Sequence, residues 1–183
     1  MEISNTQIPG CYKIIPNIVK DHRGEFVKIF RKDIFMEHCL ETDFVEEYYS
    51  CSCRNVLRGL HFGVPPADHA KVVNCVYEEV MDVVVDLRVG SEMFGKYQAF
   101  ELNAANAIGM YIPKGLAHGF YVRSDMAIVV YRTTSGYSPL CDTGVRWDSA
   151  GIPWPGTSPI MSARDIGLKP LNHFDSPFRY VCK

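Results

Sequence analysis

Glu79-Val80-Met81-Asp82-Val83-Val84-Val85-Asp86-Leu87 is the stretch on which the fold turns. From Val80 to Leu87 it is nearly continuous apolar, interrupted at Asp82, as suits a strand buried on both faces. Around it lie short runs of β-branched and aromatic residues, separated by Gly, Pro, Asn and Asp. These runs predict strands over residues 12–15, 24–31, 44–51, 56–62, 70–76, 79–86, 95–102, 107–112, 119–122 and 127–134. Residues 32–40 predict a helix with Ile34, Phe35, His38 and Cys39 on one face. From Ser135 onward turns and prolines prevail, and that tail is expected to close over one end of a barrel. Short strands without strand–helix alternation argue for a mainly β protein: a sandwich, jelly roll or barrel. Such folds often hold a ligand pocket between their sheets.

The 183 residues show no internal repeat, low-complexity segment or linker, and suit one domain spanning 1–183. Apolar residues make up 47%, charged residues 22%, and the net charge is -2, so no basic surplus points to nucleic acid or an anionic membrane. No run approaches the roughly 20 apolar residues of a membrane span, and Met1 to Gly10 lacks the pattern of a signal peptide. The cysteines are Cys11, Cys39, Cys51, Cys53, Cys75, Cys141 and Cys182, an odd set without a zinc or redox spacing. Free thiols in a reducing cytoplasm are expected.

Three segments carry groups suited to chemistry. In Leu57-Arg58-Gly59-Leu60-His61-Phe62, followed by Lys71, strand alternation sends Arg58 and His61 to opposite faces, so a bulge or twist is needed to bring them together. Ile112-Pro113-Lys114-Gly115-Leu116-Ala117-His118-Gly119-Phe120 is a turn that delivers a histidine to a strand, and Ser162-Ala163-Arg164-Asp165 lies near the C-terminus. Taken singly each is ordinary: a structural histidine, a strand-edge lysine, a helix-cap or turn aspartate. His61, His69 and His118 offer three imidazoles to a metal. Metal-binding cupins, however, carry an H-x-H pair where this chain reads His61-Phe62-Gly63, and no metal is expected. Gly-rich phosphate loops and Ser or Cys nucleophile signatures are absent from the sequence.

In order along residues 5–170, the chain resembles the dTDP-4-dehydrorhamnose 3,5-epimerase family, a metal-free branch of the cupins. The matching marks are Asp21-x-Arg23-Gly24-x-Phe26, Asn55-Val56-Leu57-Arg58-Gly59-Leu60-His61-Phe62 and Lys71-Val72-Val73. They continue with Asp82-Val83-Val84-Val85-Asp86-Leu87-Arg88, Ile112-Pro113-x-Gly115-x-Ala117-His118-Gly119-Phe120, Tyr131-Arg132-Thr133-Thr134 and Ile160-x-Ser162-x-x-Asp165.

The resemblance implies a cupin-type jelly roll with a short helix, working in the cytoplasm without a cofactor. The implied reaction epimerises a nucleoside-diphosphate 4-keto-6-deoxy sugar at C3 and/or C5 through an enolate. His61 matches the base, and an unperturbed imidazole titrates at about 6.5, near neutral pH. Asp165 matches its carboxylate partner, Lys71 the cation beside the enolate oxygen, and Tyr131 the acid on the opposite face. Arg23 and Arg58 match diphosphate contacts. Phe26 matches a stacking surface, and His118 and Asp142 match further substrate positions. The resemblance also implies a homodimer in which an N-terminal strand crosses over, so that Arg23 and Phe26 serve the neighbouring subunit's site.

Departures from the family pattern bear on the substrate. Lys28 stands where a glutamate is common, and Glu46-Glu47-Tyr48 where Gln-Asp-Asn is common. Gly63 replaces a glutamine, Asp142 a glutamate and Arg164 a lysine. These changes point away from thymidine and leave cytidine, guanosine and uridine carriers open. Only one of Tyr48 and Tyr49 is expected to enter the barrel, and Tyr48 there would bias the enzyme toward C3. The alternatives are a C3-only epimerase, a keto-isomerase of the same substrate class and a non-catalytic sugar-binding cupin.

Overall fold

The computed structural model describes residues 1–181, so Cys182 lies outside the described residues. The strands are β1 (Glu2–Asn5), β2 (Tyr12–Ile15), β3 (Ile18–Asp21), β4 (Gly24–Val27), β5 (Glu46–Cys53), β6 (Leu57–Gly63) and β7 (Lys71–Tyr77). They continue as β8 (Glu79–Asp86), β9 (Tyr97–Asn103), β10 (Gly109–Ile112), β11 (Leu116–Val122), β12 (Met126–Thr133) and β13 (Asp142–Gly144). Helix α1 (Lys32–Glu37) lies between β4 and β5, and α2 (Ala163–Ile166) in the tail. Two antiparallel sheets face each other, ordered β1-β2-β10-β7-β12-β5 and β13-β6-β11-β8-β9. This is the jelly-roll architecture of the cupins.

Strand β8 is buried along its whole length after Glu79, and its two faces enter different cores. Val80 and Val84 point between the sheets, where they meet Phe120, Val122 and Val129. Met81, Val83, Val85 and Leu87 point outward, against Val145, Ile152 and Phe178 of the tail. The tail beyond residue 144 therefore covers the outer face of the five-stranded sheet, while residues 135–142 border the space between the sheets. The apolar side of β8 that would otherwise meet water demands that cover.

Other boundaries also differ from the sequence reading. The strand expected over 24–31 stops at Val27, and the helix expected over 32–40 ends at Glu37. There His38 reaches back through Nδ1 to the Ile34 carbonyl, and Cys39 adopts a positive φ of 55°. Only Phe35 of that helix is buried, in a cluster with Ile14, Val72 and Tyr111 on the outer face of the six-stranded sheet. β3 and β4 pair only with each other and join neither main sheet. Among the described residues no helix is long and apolar enough to cross a membrane, and the six described cysteines are all free.

Candidate active site

Between the sheets the inward-facing residues change from apolar to polar along the strands. On β12 Ala127 and Val129 belong to the core, while Tyr131 and Thr133 border a cavity of about 470 Å³. That volume suits a small ligand. The six-stranded sheet contributes Tyr131, Lys71, Tyr48 and Glu46; the facing sheet contributes Arg58, His61, His118 and Asp142.

Arg58 and His61 both reach this cavity because β6 carries a bulge. His118 pairs with His61, and Phe120 pairs with Arg58, so three steps on β6 span two on β11. Gly59 makes the irregularity possible. Its φ is +125°, and a Cβ there would fall 2.6 Å from Gly119 Cα and 2.8 Å from the His118 carbonyl oxygen. The two glycines let the strands approach more closely than side chains permit.

Asp165 reaches His61 from the tail. Residues 55–57 and Ile160 exchange backbone hydrogen bonds, Leu57 N–H donating to Ile160 at 3.0 Å and Ile160 N–H to Asn55 at 2.8 Å. This pins the tail beside the start of β6. Ser162 then caps α2, its hydroxyl accepting from the Asp165 N–H at 3.1 Å. His61 Nε2 lies 2.8 Å from Asp165 Oδ1. A carboxylate only accepts, so Nε2 carries a proton, and in the neutral ring Nδ1 is then the nitrogen with the free lone pair. Burial opposes ionisation of Asp165, but His61, the Gly59 N–H and Ser162 outweigh it and hold its pKa below the ordinary value.

Lys71 is buried, with 6% of its surface exposed. Burial pushes its pKa down to about 8, against the pull of Asp142 and Asp82. Tyr131 is buried as well, and burial raises its pKa well above that of an ordinary phenol. Tyr48 stacks on it with ring centroids 4.9 Å apart and planes inclined by 15°. Tyr48 therefore places its ring against the cavity's tyrosine, and Tyr49, though 70% exposed, also borders the cavity, so both adjacent tyrosines reach it rather than one alone. His118 Nε2 lies 2.6 Å from Asp82 Oδ2 in a pair that is almost wholly buried. Arg58 Nε donates to Ser52 Oγ at 2.9 Å, and Asp142 pairs with Arg164 at 2.7 Å.

Arg23 and Phe26 do not join this group. They sit on the β3–β4 hairpin, where Arg23 pairs with Asp21 at 2.6 Å and Phe26 is 61% exposed. His69 also borders the cavity, but among the described residues no three His, Cys, Asp or Glu side chains converge to hold a metal ion. Tyr137 and Ser50 border the cavity without having been anticipated. Ser50 is legible afterwards, two residues from Tyr48 on one strand face. Tyr137 lies in a turn-rich segment that carries no periodic signal.

The family model described as dTDP-4-dehydrorhamnose 3,5-epimerase matches residues 5–173. The curated dTDP-4-dehydrorhamnose 3,5-epimerase of Shigella flexneri is 40% identical over 169 residues, covering 91% of this chain and 93% of the relative. The solved dTDP-6-deoxy-D-glucose-3,5-epimerase from Legionella pneumophila, in complex with dTDP-4-keto-L-rhamnose, superposes with a TM-score of 0.92 at 38% identity over 99% of each chain. A 3'-monoepimerase from Streptomyces bikiniensis, in complex with dTDP-quinovose, gives 0.88 at 32% identity over 92% of this chain and 87% of that one. With the family model spanning nearly the whole chain and these identities and superpositions in agreement, the chain belongs to the dTDP-4-dehydrorhamnose 3,5-epimerase family.

Proposed function

We propose that this protein epimerises a nucleoside-diphosphate-linked 4-keto-6-deoxy sugar at C3, C5 or both, without a cofactor or metal, in the cytoplasm. The observation that carries the reading is the arrival of His61 and Tyr131 from opposite sheets at one cavity that also holds Lys71. A C–H bond beside a ketone becomes acidic only where the charge that forms on the carbonyl oxygen is stabilised. Nδ1 of His61 takes the proton while Asp165 steadies the imidazolium. The electron pair moves onto the ketone oxygen, where the Lys71 ammonium receives it as an enolate. The pair then returns to carbon as Tyr131 delivers a proton from the other face; solvent reprotonates the phenolate and takes the proton back from the His61 imidazolium. A phenol whose burial disfavours ionisation suits a donor that must stay protonated until the enolate forms. Arg58 binds a phosphate, and His118 and Asp142 contact the substrate.

The protein works as a homodimer. β5 is an eight-residue edge strand, and the β3–β4 hairpin is a ribbon with Val19 and Phe26 exposed. An isolated ribbon and an open edge are each unfavourable alone. A hairpin crossing to a second copy resolves both and carries Arg23 to a diphosphate and Phe26 to a stacking position there. Glu46 at the cavity and Lys28, which directly follows the hairpin, favour a carrier other than thymidine.

A second reading, inversion at C3 alone, is favoured by Tyr48, whose stacked ring narrows the space beside Tyr131. One experiment addresses these points: 4-keto-6-deoxy sugars on thymidine, uridine, cytidine and guanosine diphosphates, incubated with chelator-treated protein in heavy water and followed by NMR. Deuterium beside an unmoved ketone is expected. A relocated ketone gives the keto-isomerase, and no labelling of any substrate gives the non-catalytic binder.

A further inference from the structure

His69 borders the cavity yet has no part in the mechanism above. It owes its position to Gly63. A Cβ on Gly63 would fall 2.9 Å from His69 Nδ1 and 2.6 Å from the Ala67 carbonyl oxygen, so the imidazole fills space that any side chain at 63 would claim. Nδ1 lies 3.1 Å from that same carbonyl oxygen. A carbonyl only accepts, so Nδ1 carries the proton of the neutral ring, and Nε2 is left as an acceptor. Burial, followed by the charge of Lys71, holds the ring below the ordinary histidine value and so keeps it neutral. The result is a fixed tautomer with an acceptor nitrogen, two residues before the buried cation of β7.

We propose that His69 is a specificity residue whose Nε2 accepts a hydrogen bond from the sugar hydroxyl on C3. The inference rests on the epimerase reading, in which Lys71 meets the ketone oxygen at C4. An acceptor nitrogen gains nothing from a ketone oxygen, which is itself an acceptor. Of the two carbons beside C4, C5 bears a methyl group and the ring oxygen, neither a donor. C3 bears a hydroxyl, and its proton is the only donor adjacent to the ketone. The bond also reads configuration, because inversion at C3 moves the hydroxyl to the other face of the ring.

The test compares a 4-keto-6-deoxy nucleotide sugar with its 3-deoxy counterpart, reading deuterium uptake beside the ketone at both C3 and C5, since each sugar carries an exchangeable C–H at both carbons. Wild-type protein is expected to prefer the 3-hydroxy substrate by about tenfold in kcat/KM, the worth of one ordinary hydrogen bond. His69→Phe is expected to abolish that preference, raising KM for the 3-hydroxy sugar and leaving the 3-deoxy sugar unchanged. His69→Gln, whose amide oxygen can accept, retains part of it, and His69→Ala repeats the loss without added bulk. A preference that survives in His69→Phe and His69→Ala, or an equal loss for both sugars, overturns the role of His69 alone. Wild-type protein that labels neither sugar overturns the epimerase reading and this inference with it.

Discussion

Two histidine–aspartate pairs lie side by side on β6 and β11, and their surroundings set them apart. His61 and His118 are register partners, and each holds a carboxylate within hydrogen-bond distance, at 2.8 and 2.6 Å. His61 keeps 30% of its side chain exposed, whereas His118 keeps 4% and its Asp82 none. Asp165 takes further hydrogen bonds from the Gly59 N–H and is braced by the cap of α2, while Asp82 Oδ1 has no partner among the described residues. The same two side chains thus make a supported, accessible pair in one place and a buried pair in the other. The accessible pair suits proton exchange with a substrate; the buried one fixes the His118 ring at the cavity wall, where it borders the same space.

Substitution of each histidine should separate the two roles. His61→Asn is expected to lower turnover by about 10²–10⁴, the range for a positioned general base, while the melting temperature holds. His118→Asn leaves Asp82 buried with a poorer partner and is expected to cost about 1–3 kcal/mol of stability, with a smaller loss of turnover. Urea titration alongside steady-state rates checks both. The comparison fails if His118→Asn loses more activity than His61→Asn at unchanged stability.

The sealed pair also bears on Lys71, because Asp82 is one of two carboxylates that support its charge. Lys71→Met is expected to reduce turnover by about 10²–10³ through loss of the enolate's cation. In the wild type, turnover should fall as pH rises through about 8, where the ammonium deprotonates. Stability moves the other way. The folded pKa lies below the unfolded value, so the unfolded chain binds more protons between about 8 and 10.5, and folding is favoured as pH rises through that window. Below it the charged lysine exacts its full penalty. Lys71→Met should therefore melt higher than wild type at pH 7, with a gap that narrows toward pH 10. A constant gap would mean that Lys71 carries no such penalty.

The smallest effect concerns the facing sheet, where the Tyr48 ring stacks on Tyr131 at the cavity. Tyr48→Asn is expected to leave the rate of labelling at C3 within severalfold and to widen labelling to C5. Unchanged regiochemistry, measured by NMR in deuterated solvent, would remove Tyr48 from the choice of carbon.

Much of this was legible in the chain. Residues 12–15 and 79–86 were bounded correctly, because uninterrupted β-branched runs between turn signals leave little choice. The strands Glu2–Asn5, Ile18–Asp21 and Asp142–Gly144 were not foreseen. They are only three or four residues long, too short for a periodic signal, and Asp142–Gly144 pairs with the distant β6. Asp82 read as an interruption of an apolar strand; its reason, His118, lies 36 residues away. The bulge that joins Arg58 to His61 was required by the chemistry but invisible in alternation, since it arises from the close passage of Gly59 and Gly119. Arg23 and Phe26 matched the family pattern, and a single copy of the chain leaves them outside its own cavity.

The central claim is that a base on one sheet and an acid on the other act on one enolate. Tyr131→Phe in heavy water, beside His61→Asn, tests it most directly. Without the phenol, His61 should still remove and return a proton at its own face, so deuterium should enter unreacted substrate while net inversion falls steeply. His61→Asn should stop both. Exchange that persists in His61→Asn, or that vanishes together with inversion in a folded Tyr131→Phe protein, would contradict the account.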